Sequence, residues 1–208
     1  MLELGVRVTY EVLGGGRVLH RDVSIDPYVQ NFIEITRGAM NWNYIANLCR
    51  VPDGLVVQAR IVHPRGLTSP MVILGIMGGE GVDAIGVVVG SQAGSKSIRR
   101  CNLVSQLKHT ENVFTYKAVE DLGFDVVAGN IVWRVRRSFD NLSPNPVNIW
   151  ESGVYASGNF SDPTTGDPLP VHVMIALDVR DTPITVEPGQ RLIVTYEFIF
   201  PVPTGWSL

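Results

Sequence analysis

Apolar and polar residues alternate at the start of the chain. Between positions 4 and 12 every second residue is apolar, a period that is typical of a strand with one buried face. Gly14-Gly15-Gly16 then predicts a turn, and residues 18–25 return as a second β-rich segment. The first 25 residues are therefore predicted to form a β-hairpin.

The period changes to that of a helix between residues 27 and 50. Asp26-Pro27 fits an N-cap followed by the first helical position. Gly38 weakens the middle, so the pattern predicts either one helix of about 20 residues or two short helices. The apolar residues at helical spacing are Val29, Phe32, Ile33, Ile35, Met40, Trp42, Ile45 and Leu48.

From residue 55 to residue 200 the chain alternates between short β-rich runs and turn residues. Residues 85–90 are apolar throughout and predict a fully buried strand, and residues 102–109 are compatible with a short helix. Strands at intervals of about ten residues indicate an all-β, antiparallel sandwich or barrel. We expect a single domain over residues 1–208, with the hairpin and helix in 1–50 and a β-sandwich body in 55–200.

Composition excludes several classes of protein. Hydrophobic residues make up 45% of the chain and charged residues 18%, which is incompatible with intrinsic disorder. No apolar run is long enough for a membrane-spanning helix, and the N-terminus lacks the basic and apolar segments of a secretory signal. A net charge of −3 argues against a dedicated nucleic-acid binder.

The two cysteines, Cys49 and Cys101, are far apart and form no CxxC motif. We expect them to be small buried residues in a reducing compartment, and a disulfide between them is the alternative.

The sequence contains no pattern that identifies a catalytic or metal site. A glycine-rich patch at 75–81 leads into another apolar strand and lacks the Gly-Lys-Ser/Thr ending of a phosphate loop. The loop with Asp162, Thr164, Thr165 and Asp167 lacks the EF-hand pattern, and the four histidines are scattered singly. The carboxylates Glu80, Asp83, Glu120 and Asp121 cannot be placed in one cleft from sequence. We therefore expect no enzyme activity, no catalytic or metal-binding residues and no cofactor.

A series of short sequence motifs occurs in a fixed order within residues 85–200. It comprises an apolar strand ending at Gly90-Ser91, the short Asn102-Leu103-Val104 segment, Arg137-Ser138-Phe139-Asp140-Asn141, Glu151-Ser152-Gly153-Val154-Tyr155, and a closing strand after Glu187-Pro188-Gly189-Gln190. This order resembles β-sandwich virion proteins of phages and related viruses, in which an acidic-Gly-aromatic strand precedes a Pro-Gly-Gln turn and a Leu-x-Val-x-Tyr strand.

The resemblance implies a jelly-roll-like sandwich that self-assembles as a capsid, decoration or tail protein. Its partners would be copies of itself and other virion proteins, and its location would be the virion after synthesis in the host cytoplasm. The alternative is a tail-fibre or adhesion protein, or a carbohydrate-binding module.

The predicted helix also predicts a subunit interface. Its large apolar residues cover more of the helical circumference than one sheet face can bury, and an uncovered apolar patch marks an interaction surface. We expect residues 27–50 and one chain terminus to bury more than about 1,000 Å² against a neighbouring copy. The candidate interface residues are Phe32, Ile35, Trp42, Tyr44, Ile45 and Leu48.

Overall fold

The computed structural model describes residues 5–26, 30, 32, 44–49, 56–61, 75–165 and 167–202. Within these ranges the strands form two sheets, and every strand pairing is antiparallel. The strands are β1 (Gly5–Gly14), β2 (Arg17–Asp26), β3 (Tyr44–Cys49), β4 (Val56–Ile61), β5 (Gly86–Gly90), β6 (Phe114–Tyr116), β7 (Glu120–Val127), β8 (Asn130–Asn141), β9 (Val147–Ser161), β10 (Pro168–Val186) and β11 (Arg191–Pro201).

The first sheet has the strand order β2–β1–β11–β8, and two further strands share the remaining edge of β8. β7 pairs with residues 130–136 of β8, and β6 pairs with residues 139–141. β1 and β11 lie side by side in the middle of this sheet, with Arg7 opposite Glu197. These two residues are 190 positions apart in the sequence, so the sheet depends on pairing between distant parts of the chain.

The second sheet is built around the long hairpin of β9 and β10. The other edge of β9 is covered in turn by β5 at residues 151–155, by Gly75 opposite Ser157, and by β4 at Ser161. β3 pairs with β4 and extends the sheet by one strand.

The core lies between the two sheets, and alternation along the strands selects which residues enter it. The face of the first sheet that points to the core is called its inner face, and the opposite face is called its outer face. On β1 the inner residues are buried and the intervening residues are partly exposed, as the period of two predicts. β5 is buried along its whole length, which confirms the prediction for residues 85–90. The inner residues of β1 and β11 are Val6, Val8, Tyr10, Val12, Leu192, Val194, Tyr196 and Phe198.

The predicted all-β class and the N-terminal hairpin are confirmed. The hairpin turn contains Gly15 and Gly16, both with positive φ, a conformation that glycine adopts without steric cost.

The predicted helix over residues 27–50 is wrong in its last part. Tyr44–Cys49 is strand β3, paired along its length with β4. Within the described residues, helical backbone occurs only at Gln30 and Phe32, and the rest of residues 27–43 lies outside them. A six-residue apolar segment is too short for its period to separate helix from strand, and here the sheet supplies the hydrogen-bond partners. Residues 102–109 also form no helix.

The expectation of two reduced cysteines is wrong as well. Cys101 is disulfide-bonded, and the only other cysteine in the sequence is Cys49. The absence of a CxxC motif carries no information on this point, because a fold can bring distant cysteines together. In the described part of the chain, no helix has the length and apolarity to cross a membrane.

Candidate functional site

The sequence motifs on which the resemblance to virion proteins rests have structural roles in this fold. Arg137 is fully buried on the inner face of β8, and its guanidinium donates five hydrogen bonds to backbone carbonyls at 2.6–3.2 Å. It also lies over the ring of Tyr116, 4.7 Å from the centroid. Burial lowers the pKa of Arg137 to about 10, so the group remains charged at neutral pH. The accepting carbonyls belong to Gly79, Val82, Ile85, Val87 and Lys117.

Asn141 is the last residue of the same motif, which begins at Arg137. Its side-chain nitrogen donates to the carbonyls of Asn145 and Val186, and its side-chain oxygen accepts two bonds from Ser143. Its backbone also bonds to Gly189 and Gln190 of the Pro-Gly-Gln turn. Asn141 therefore ties two turns together.

Glu151 and Tyr155 hold the segment between β5 and β6. The Glu151 carboxylate is fully buried and receives two bonds from Arg100, at 3.0 and 2.9 Å, and one from the amide of Val104 at 3.1 Å. The Tyr155 hydroxyl accepts a bond from the amide of Leu103 at 2.9 Å. The three N–H donors satisfy the hydrogen-bonding capacity that a buried carboxylate requires.

A second buried polar network crosses the core between the sheets. The hydroxyl of Ser152 lies 2.7 Å from the hydroxyls of both Tyr10 and Tyr196. Tyr10 also donates to Asp178, which is bonded by Ser24 and lies 3.7 Å from Arg180.

This network cannot serve as an active site. Burial, followed by the neighbouring Tyr196 and Asp178, raises the pKa of Tyr10 well above its ordinary value, so the hydroxyl keeps its proton and donates. Tyr10, Ser152, Asp178 and Tyr196 have no solvent-exposed surface. Because no substrate can reach these groups, the network connects the sheets and fixes their relative placement.

The glycine-rich patch forms part of the Arg137 binding site. The carbonyl of Gly79 accepts a bond from Arg137, and a Cβ at Gly78 would come within 2.5 Å of the carbonyl of Ile85. The patch therefore presents carbonyl oxygens to a cation instead of amides to a phosphate, and this geometry opposes nucleotide binding.

The four carboxylates considered from sequence bind four different partners. Glu80 bonds to Lys117 at 2.8 Å, and Asp83 accepts the amide of His109 at 2.9 Å. Glu120 pairs with Arg136, and Asp121 accepts the indole N–H of Trp133.

The Asp162 loop is held by its own backbone. The Asp162 carboxylate accepts the amides of Thr164 and Thr165 at 2.7 and 3.0 Å. A search for groups of metal-ligating side chains finds none among the described residues.

The outer face of the first sheet carries a ladder of paired charges. Glu197 accepts bonds from Arg7 on one side and from Arg134, at 2.7 Å, on the other. Burial raises the pKa of Glu197, but these bonds outweigh it and the pKa lies below the ordinary value. A cavity of about 300 Å³ lies over this ladder, and its carboxylates are paired with its arginines. The lining residues are Arg7, Thr9, Glu11, Arg21, Val23, Thr195 and Glu197.

The two edges of the first sheet are the most unusual surfaces of the molecule. β2 and β7 each pair with one strand only in the part of the chain that is described. An exposed strand edge is a site at which another chain can add. Of the fourteen large apolar side chains exposed in the described ranges, eight belong to these two strands: Val18, Leu19, Val23, Ile25, Leu122, Phe124, Val126 and Val127.

Phe124 is the most prominent residue of the β7 edge. Its side chain is 70% exposed and stacks on Trp133, which in turn stacks on Phe198 in the core, at centroid distances of 6.0 and 5.2 Å. On β2 the corresponding residue is Ile25, which is 79% exposed. Both edges therefore present apolar side chains that are fixed by a rigid sheet.

Comparison with known proteins gives no relative. No protein-family model matches the chain, and neither a curated protein nor a solved structure matches it significantly. Inference about function therefore rests on the structure, above all on these two edges.

The interface residues predicted from sequence lie elsewhere. Leu48 is fully buried in its own subunit, and Phe32 is partly buried and stacks on Phe198 at 6.2 Å. Tyr44 and Ile45 belong to β3, and Ile35 and Trp42 lie outside the described residues. Sequence reasoning missed β2 and β7 as candidate surfaces. The available signal was apolar residues on both faces of the strands at 18–25 and 120–127, which one buried face does not explain.

Proposed function

We propose that this protein is a non-enzymatic structural subunit that assembles with copies of itself through the β2 and β7 edges of its first sheet. The observation that carries the proposal is the concentration of exposed apolar side chains on β2 and β7. Proteins that work as monomers protect such edges with charge, proline or a covering loop. An uncovered edge with apolar side chains is favoured when another chain covers it.

The buried polar groups support a structural role. Arg137, Glu151 and the Tyr10–Ser152–Asp178 network each bind groups of the same chain and are closed to solvent. These buried charged and polar groups therefore stabilise the fold and are not exposed to a substrate.

The kind of assembly is the one that the resemblance implies. We assign the subunit to a virus particle, as a capsid, decoration or tail protein with other virion proteins as its neighbours. The sandwich would be jelly-roll-like. Its chain crosses between the two sheets from β8 to β9 and again from β10 to β11, which is compatible with the Greek-key connections of that fold.

Assembly is tested by light scattering after size exclusion and by negative-stain electron microscopy of the purified protein. We expect multimers for the wild type and their loss in Ile25→Glu and Phe124→Glu, because each change places a charge in the proposed contact. Met77→Glu is the matched control, since Met77 is also exposed but lies outside both edges. A wild-type protein that stays monomeric at all concentrations, above all one that binds a saccharide, contradicts the proposal.

A further inference from the structure

The β2 and β7 edges lie at opposite ends of one sheet. Four antiparallel steps separate β2 from β7 through β1, β11 and β8, so β2 and β7 run in the same direction. If the sheet continued from one copy into the next in the same orientation, β2 would meet β7 as a parallel neighbour.

The charges of the first half of β2 are complementary to those of β7, whereas the second half of β2 contains Asp22 and Asp26. β7 has three carboxylates, Glu120, Asp121 and Asp125, and no basic residue. The first half of β2, residues 17–21, has two arginines, Arg17 and Arg21, and no acidic residue, and all five of its residues are exposed.

The charges also match in spacing. Arg17 and Arg21 are four residues apart, as are Asp121 and Asp125. In each strand a one-residue irregularity of register falls between the two charges. Because both strands contain one extra residue there, a register that aligns the first pair of charges also aligns the second.

The faces of the sheet agree with this register. Arg17 lies opposite Gly14 and Asp121 lies opposite Val135, which are both inner-face positions. Arg21 lies opposite Glu11 and forms an ion pair with it on the outer face.

Asp125 occupies the matching outer position on β7, opposite Val132. The same register sets two exposed apolar residues of the outer face, Val23 and Val127, beside each other. Side chains directly across from each other on one face stabilise a strand pair, both as opposite charges and as apolar contacts.

The present ion pairs of Arg21 and Asp125 are weak. Arg21 lies 3.6 Å from Glu11, and Asp125 lies 3.4 Å from Arg134, with the Arg21 and Asp125 side chains mostly exposed. Exposed ion pairs of this kind contribute little to stability, so a neighbouring copy can engage both residues without loss of the fold.

We infer that β2 of one copy pairs in parallel with β7 of the next, with Arg17 beside Asp121 and Arg21 beside Asp125. This inference rests on the proposed self-assembly and specifies its contact. The contact joins different surfaces of the two copies, so it generates a ring or an open filament instead of a two-fold dimer.

Charge reversal tests the pairing. We expect Arg21→Asp and Asp125→Arg each to weaken self-association at least tenfold, as measured by light scattering over a dilution series. An equimolar mixture of the two variants should assemble again, because the altered β2 of one fits the altered β7 of the other. The double variant Arg21→Asp/Asp125→Arg should assemble by itself.

Two control variants carry the same charge changes elsewhere. Arg99→Asp and Glu111→Arg alter exposed residues outside both edges and should assemble like the wild type. Equal thermal midpoints show that all variants fold. If the single variants assemble normally, or if the mixture and the double variant stay dissociated, the β2–β7 pairing is wrong while self-assembly of the wild type stands. A monomeric wild type instead overturns the proposed function.

Discussion

Arg137 stabilises the path of the chain before β5 more directly than any apolar residue. Its five hydrogen bonds go to the carbonyls of Gly79, Val82, Ile85, Val87 and Lys117, four of which lie in or just before β5. A buried carbonyl without a donor destabilises the folded state by about 1–3 kcal/mol. One side chain therefore determines where residues 79–87 can lie.

Replacing Arg137 by Met should lower the free energy of unfolding by roughly 3 kcal/mol or more, because several carbonyls lose their donor at once. Arg136→Met is the matched control. Arg136 is the next residue but has a 41% exposed side chain paired with Glu120, so its loss should change the stability by less than about 1 kcal/mol. Denaturant unfolding of both variants measures the difference. Equal losses would show that the carbonyl contacts contribute nothing specific.

Buried tyrosines predict that the protein loses stability at alkaline pH. Burial raises the pKa of Tyr155 from 10 to about 12. Below pH 10 both states hold the proton. Between pH 10 and about 12 the unfolded chain releases it while the folded protein keeps it, so stability falls as the pH rises.

Unfolding free energies measured across this range test the Tyr155 contribution. The stability advantage of the wild type over Tyr155→Phe should shrink by on the order of 2 kcal/mol as the pH rises from 10 to 12. A difference between the two proteins that is independent of pH would contradict this assignment. Ultraviolet titration of tyrosinate in the folded protein provides a direct check.

At the scale of elements, the segment between β5 and β6 forms no regular strand ladder of its own and is fastened by side chains. Arg100 reaches Glu151, the amide of Leu103 reaches Tyr155, and Cys101 lies in a disulfide. A disulfide limits the conformations of the unfolded chain, and the effect increases with the length of the closed loop.

Removal of the disulfide should therefore destabilise the protein. Cys101→Ser should lower the free energy of unfolding by about 4 kcal/mol, the value expected for a loop of roughly 50 residues. A reducing agent should have the same effect on the wild type and no further effect on the variant. Detection of two free thiols in the unfolded, unreduced wild type would show that the bond is absent.

Sequence periodicity predicted some elements well and others poorly, for identifiable reasons. Strands β1, β5 and β11 are long or fully apolar, so their patterns are unambiguous. β3 has only six residues, and its apolar positions fit both periods. β3 is a strand because it pairs with β4, and a local sequence pattern contains no information about this neighbour.

At the scale of the whole molecule, the sequence contained a signal for the candidate surface but did not show that β2 and β7 are edge strands. An apolar residue on a strand can be buried or exposed, and only the strand order shows that both strands lie at edges of the sheet. The predicted interface residues had the opposite outcome where their side chains are described: Phe32 and Leu48 pack within the subunit. Whether a side chain is exposed depends on the strand order of the sheet, which brings together residues that are far apart in the sequence.

The central pairing of β1 with β11 has a consequence for folding during synthesis, because β2 joins the sheet through β1. β1 cannot pair with β11 until β11 has been synthesised, and this pairing extends to Gly5 opposite Ile199. Folds that depend on such long-range contacts form slowly, because a long loop must close before the contacts stabilise it. β2 is held in its sheet by β1, and without β11 the two strands are an isolated hairpin, which is at best marginally stable in water. In the proposed assembly, this order would restrict polymer growth to subunits whose β11 is complete.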